Sequence, residues 1–228
     1  MQDNSDIALA VLDMAGTTVA DDGAVIAAFD DAATAVGLPE SGPERDNARQ
    51  YVLDTMGQSK IVVFRALFGS DHRAAQANAA FESAYERYID EGAITPIPGA
   101  ANAIATLRTA GIKVALTTGF SRGTQRKLLT ALGWTEVADL VLAPADAGRG
   151  RPYPDLVLTA LLRAEVDDVR RVAVVGDTSS DITSGLRAGA AIVAGTLTGA
   201  HDAHTLREAG ATHVLDSVAE LPALLISA

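Results

Sequence analysis

Short runs of β-branched and aliphatic residues alternate with amphipathic stretches of helical length along most of this chain. That alternation limits the possible folds more than any other feature. Residues 7–13 (IALAVLD), 112–118 (IKVALTT), 138–143 (ADLVLA), 172–177 (VAVVGD), 190–195 (AAIVAG) and 212–216 (THVLD) read as strands without a polar face. A strand that is apolar on both sides must be covered on both sides. The intervening stretches close on glycine and read as helices. The pattern therefore predicts an α/β fold with a doubly wound, Rossmann-like parallel sheet. Ligands of such sheets sit beyond the carboxyl ends of the strands, so the loops after 12, 116, 143 and 176 are expected to converge.

One segment breaks the alternation. Residues 20–93 contain no convincing strand, only the helical stretches AVIAAFDDAATAVG, PERDNARQYVLDTMG, SKIVVFRALFG and DHRAAQANAAFESAYERYIDEG. This predicts a helical cap inserted after the first strand, with residues 1–19 and 94–228 forming the core. Caps of this kind close over strand-end loops and exclude water. A chain of 228 residues, 48% of them hydrophobic, can bury such a core. The net charge of −11 argues against nucleic acid or an anionic membrane surface as partner, though not against a small anionic substrate. The absence of cysteine excludes disulfides and thiolate metal sites. No apolar run approaches the roughly 18 residues of a membrane span. The opening MQDNSD is unlike a leader peptide, so a cytoplasmic location is the expectation.

Four strand-end elements carry the candidate chemistry. Asp13 ends the first strand, followed by Gly16, Thr17 and Thr18; Thr117 and Thr118 end the second, in LTTGFSR; Arg151 stands in GRGRPYP; Asp177 and Asp181 stand in VVGDTSSD. Carboxylates from different strand ends suit a hard, oxygen-seeking ion such as Mg²⁺. Threonines and backbone N–H groups near helix starts can hold phosphoryl oxygens, and an arginine can balance developing charge. Asp13 is then placed to attack phosphorus and form an aspartyl-phosphate. Singly, each element has a structural explanation: a helix cap, an ordinary turn, a capping pair. Together, in this order, they point to phosphoryl chemistry.

A phosphate-ester enzyme of this type would carry a second carboxylate two positions after the nucleophile, where this chain has Ala15. With DMAGTT at 13–18, GRPYP at 150–154 and MGQSK at 56–60, the chain resembles the haloacid dehalogenase superfamily over essentially its full length. Within it, the chain is similar to the phosphonoacetaldehyde hydrolases (phosphonatases) and their close relatives. The resemblance implies a Mg²⁺-dependent hydrolase of a small organophosphonate, with the metal at Asp13, Ala15, Asp177 and Asp181. It implies Asp13, Lys60, Arg151 and Thr117 as catalytic residues, with Lys60 forming a Schiff base with the substrate aldehyde. It implies substrate contacts from Ala15, Gly16, Thr17, Thr118, Gly119, Met56 and Gly57, and a homodimer through the cap helices.

This resemblance accounts for Ala15. Attack on the phosphorus of a phosphonate would expel a carbanion, and a proton donor does not cure that electronic problem. A protonated imine on a carbonyl two carbons from phosphorus does, because the leaving group becomes an enamine. Lys60 must be neutral to attack, which calls for burial or a neighbouring cation. The organic half of the pocket departs from the family: Phe120 replaces tyrosine, Val63 replaces histidine and Met14 replaces tryptophan. A capped phosphomonoesterase or phosphomutase is the alternative reading, and a binding protein without turnover is a third. Arg149 reads as a loop charge. His201 and His204 read as a solvated pair on one helical face, remote from the motifs. Phe81, Tyr85, Tyr88 and Trp134 read as packing residues.

Overall fold

The computed structural model describes residues 7–20 and 22–226. Residues 1–6, on which the leader-peptide reading rests, lie outside the described residues, as do Asp21 and residues 227–228. Six parallel strands, β1 (Leu9–Asp13), β4 (Lys113–Thr117), β5 (Leu140–Leu142), β6 (Val172–Gly176), β7 (Ile192–Thr196) and β8 (His213–Leu215), form one sheet in the order β5-β4-β1-β6-β7-β8. Five fall inside runs expected to be strands, and β7 extends one residue past its run, to Thr196. Alternation within β1 shows why these runs lack a polar face. Leu9 and Val11 pack with Leu156, Val157 and Ala160 of α8 (Asp155–Arg163). Ala10 and Leu12 pack on the opposite side with Ile104 and Leu107 of α5 (Ala100–Thr109) and Leu128 and Leu129 of α6 (Arg122–Ala131). Every side chain of the strand is therefore buried, as a doubly wound sheet requires.

A short α7 (Pro144–Ala147) follows β5, α9 (Ser179–Ala188) follows β6, α10 (Ala203–Glu208) follows β7, and α11 (Leu221–Leu225) closes the described chain. The segment from 24 to 90 contains four helices: α1 (Ala24–Ala35), α2 (Pro43–Asp54), α3 (Lys60–Phe68) and α4 (Asp71–Asp90). Their starts and stops follow local chemistry: Pro43 in the first turn of α2, Ser70 accepting from the backbone N–H of Arg73 ahead of α4, and a left-handed Gly69 ending α3. The helices are held together by Phe29, Phe64, Phe81 and Tyr85, whose rings stack or meet edge-on at centroid separations near 6 Å. Phe120, from the core loop after β4, continues this stack, 4.5 Å from Tyr85.

One pair of elements differs from the sequence reading. Val19–Ala20 (β2) and Thr95–Pro96 (β3) form a two-stranded antiparallel ribbon where only connecting chain was expected. Two residues are too few to show a period, so nothing in the sequence distinguishes them from a loop. The ribbon ties both ends of the helical insertion to the Asp13 loop, because Gly16 N–H donates to Val19 O and Ile97 N–H donates to Thr18 O.

Candidate active site

Parallel strands that end level with one another deliver their final side chains to one place. Asp13 pairs in register with Thr117, and Leu12 with Val175, so the chain leaves β1, β4 and β6 at the same height. There Arg151 organises the carboxylates. Its Nη1 lies 2.6 Å from Asp13 Oδ1 and its Nε lies 2.9 Å from Asp181 Oδ1. Its Nη2 donates to Thr117 Oγ1 at 2.7 Å, and the Thr117 hydroxyl in turn donates to Leu12 O. Arginine suits this position because its rigid fork presents several donors at once. Arg149, two residues earlier, is exposed, pairs with Asp155 at 2.8 Å and lies over the Tyr153 ring. Thr117 thus stands behind Arg151, whereas Thr118 and Gly119 line the cavity itself.

Asp177 and Asp181 differ in support. Asp181 is the third residue of α9 and forms a capping box with Thr178: the Thr178 hydroxyl donates to Asp181 Oδ2 and accepts from the Asp181 backbone N–H. One Asp181 oxygen thus serves the helix cap and the other faces Arg151. Asp177 accepts from Ala200 N–H at 2.7 Å and from the Thr17 hydroxyl at 3.2 Å. Gly16, at φ 86°, lies so close that a Cβ there would collide with the Asp177 carboxylate. Gly16 and Thr17, expected at the substrate, therefore brace Asp177.

Asp13, Asp177 and Asp181 are all buried, with ligand oxygens within 4.8 Å of one another, against one buried guanidinium. Burial pushes the Asp13 carboxyl well above the usual range; Arg151 opposes this, while Asp181 and Asp177 add to it. Burial, followed by repulsion from Asp181, pushes Asp177 up to about 7. Three clustered carboxylate oxygens, two of them on groups whose charge burial disfavours, fit a hard divalent cation. Ala15 lines the same cavity as Asp13 and Asp177, and has only its backbone oxygen to offer a metal.

The helical insertion closes this floor. Lys60 opens α3 and its backbone N–H donates to Gly119 O at 3.4 Å. Its Nζ lies 5.8 Å from the Phe81 ring centre and 5.7 Å from that of Phe120, and Phe29, Val63 and Phe64 share a small void with it. Gly57, at φ 82°, brings its backbone against the Thr178 hydroxyl, where a Cβ would collide, and its carbonyl accepts from Arg151 Nη1 at 3.4 Å. Lys60, Met56 and Gly57 from above, and Asp13, Arg151 and Asp177 from below, enclose a cavity of about 30 Å³. That is room for about two waters. On the Ala15 side it adjoins a cleft of about 330 Å³ walled by Ile26, Leu53 and Met56. On the Lys60 side, another of about 460 Å³ runs between the insertion and the core.

Three residues in this region escaped the sequence reading, and a fourth was misread. Thr178 carried a legible signal, the Thr-x-x-Asp spacing of a capping pair. Thr198, whose hydroxyl donates to Gly16 O at 2.7 Å, and Ala200 follow β7, whose place beside β6 brings their loop to the site. His201 corrects an expectation: it is half-buried, its Nδ1 accepts from Ser179 N–H at 2.9 Å, and its backbone N–H donates to Asp177 O. It precedes α10, so it shares no helical face with the exposed His204, which pairs with Glu208. Phe81, expected to pack only, also flanks the Lys60 amine.

Comparison with known proteins gives a consistent result. Residues 7–189 match the model of the haloacid dehalogenase-like hydrolases. A phosphonoacetaldehyde hydrolase of Pseudomonas fluorescens is 31% identical over 193 residues, covering 79% of this chain and 69% of the relative. Among solved structures, a phosphonoacetaldehyde hydrolase-like protein of Oleispira antarctica superposes with a TM-score of 0.82 at 24% identity, covering 96% of this chain and 91% of that one. A structure from Haemophilus somnus described as a predicted phosphoglycolate phosphatase gives 0.78 at 17% identity, covering 95% and 96%. The structural matches establish the fold and leave the substrate open. Among the described residues, no helix is long and apolar enough to cross a membrane.

Proposed function

Because this chain belongs to the haloacid dehalogenase-like hydrolases, we propose that it hydrolyses the carbon–phosphorus bond of phosphonoacetaldehyde or a closely related 2-oxoalkylphosphonate. The products are an aldehyde and phosphate. One observation carries the reading: Lys60 lines the same small cavity as Asp13, while Ala15 offers a methyl group where ester cleavage needs a proton donor.

The Lys60 amine condenses with the substrate carbonyl, and the protonated imine becomes an electron sink. The Asp13 carboxylate attacks phosphorus, and the carbon–phosphorus electron pair moves toward the iminium nitrogen to give an enamine. Arg151 balances charge on the phosphoryl oxygens. Protonation of the enamine carbon and hydrolysis of the imine release the aldehyde, and water releases phosphate from Asp13. Mg²⁺ held by Asp13, Asp177, Asp181 and the Ala15 backbone would supply positive charge beside the phosphoryl group. The 30 Å³ cavity is smaller than this substrate, so the α1–α4 insertion acts as a cap that lifts to admit it.

Incubation with phosphonoacetaldehyde and borohydride, followed by peptide mass mapping, tests the reading. The expected outcome is a reduced adduct on Lys60, with turnover of Lys60→Arg at background. Labelling that misses Lys60, together with undiminished turnover in that variant, would falsify the imine route. The phosphomonoesterase alternative predicts efficient cleavage of sugar phosphates without phosphonate turnover. It must operate without a leaving-group acid, a loss of about 10²–10⁴-fold.

A further inference from the structure

We propose that Glu82 relays protons to and from the Lys60 nitrogen through the cleft between the cap and the core. The inference rests on the reading that Lys60 forms an imine. Condensing a lysine ammonium with an aldehyde gives a protonated imine and water, with no net proton consumed. The nitrogen lone pair forms the new bond to carbon, and the carbonyl oxygen leaves with its bonding pair. Two of the three ammonium protons must end on that oxygen, and imine hydrolysis returns them. Something close to Lys60 has to carry them.

The apolar side chains around the Lys60 stem, Phe29, Val63, Phe64 and Phe81, have no proton to exchange. The site carboxylates below are engaged: Asp13 and Asp181 pair with Arg151, and Asp177 is held by Ala200 and Thr17. On its other side Lys60 lines the 460 Å³ cleft, and Glu82 of α4 lines it too. Asn78, Phe81, Glu82 and Tyr85 share one face of α4 by their three- and four-residue spacing. Phe120, whose ring centre lies 5.7 Å from Lys60 Nζ, lines this cleft together with Lys60 and Glu82. Asn78 Nδ2 donates to Glu82 Oε1 at 3.0 Å and orients the carboxylate, which assigns the relay to Oε2.

Among the described residues, the other charged groups facing this region are committed or cannot release a proton. Arg122, at the start of α6, pairs with Asp146 at 2.6 Å, and a guanidinium stays protonated. Lys127 of α6 pairs with Glu86 and Asp90, further along α4. A carboxylate, by contrast, accepts and returns protons readily.

The test is the rate at which the Lys60 adduct becomes trappable by borohydride after mixing with phosphonoacetaldehyde, measured against pH in the wild type and in Glu82→Gln. Glutamine keeps the shape and the acceptor for Asn78. The expected result is a slowing of about 10²-fold, a KM close to wild type and loss of one limb of the pH profile. Added formate should partly restore the rate in Glu82→Ala. Wild-type trapping rate and pH profile in Glu82→Gln overturn the relay and leave the imine reading standing. Absence of any Lys60 adduct in the wild type overturns both.

Discussion

The floor and the ceiling of the site are built from opposite materials. The floor is charged and interlocked: Asp13, Asp181 and Thr117 all converge on one buried arginine, which the Gly57 carbonyl meets from above, and Asp177 has its own backbone and hydroxyl donors. The ceiling is aromatic and aliphatic, with a single amine set between Phe81 and Phe120. The contrast suits the two electronic demands of the proposed reaction. Phosphoryl transfer needs charge fixed in advance, because little covalent chemistry is left for the protein to do. Expelling a carbon leaving group needs one covalent electron sink, and an apolar surround keeps water from competing for it.

Separating the two regions experimentally sharpens this contrast. The largest effect is expected from Asp13→Asn, which removes the proposed nucleophile without changing the shape of the floor. Phosphate release should fall by at least about 10⁴-fold, while borohydride still labels Lys60. Residual turnover near wild type would erase the division of labour. Ala15→Asp is expected to move the floor toward ester chemistry. Hydrolysis of a phosphate monoester should rise about 10-fold or more and phosphonate turnover should fall, as read by parallel phosphate assays. Gly57→Ala places a methyl against the Thr178 hydroxyl at a positive φ and so lifts the ceiling from the floor. Loss of about 10-fold in kcat/KM with an unchanged circular dichroism spectrum is expected.

The smallest effect concerns the floor alone. The Asp177 carboxyl, pushed up to about 7 by burial and then by Asp181, lies above its unfolded value of about 3.9. Without metal the fold therefore holds more protons than the unfolded chain between those values. This group's contribution to stability is present at low pH and is lost as pH rises through 7. Mg²⁺ should raise Tm by several degrees at pH 8 and by much less at pH 5, measured by calorimetry. Equal shifts at both values would refute the assignment of these carboxylates to the metal.

Much of the architecture was legible because each strand is covered on both faces and so reads as an uninterrupted apolar run. All six sheet strands, and the four helices from 24 to 90, fall where periodicity and glycine stops put them. Asp13 and Thr117, which end β1 and β4, were legible for the same reason, since strand ends in such a sheet converge, whereas Arg151 follows α7 and was legible through the GRPYP motif. The β2–β3 ribbon was too short to show a pattern, and Thr198, Ala200 and His201 carry no local signal.

By itself the sequence determined where the six strands run and that a helical stretch carries Lys60, because those choices depend on the spacing of neighbouring residues. Only the tertiary structure decided that Thr17 braces Asp177, that His201 stands at the start of α9, and that Glu82 shares a cleft with Lys60. These are meetings between segments up to 160 positions apart in the chain, settled by how helices pack across the sheet. A local pattern contains no record of which distant partner will fill the space beside it.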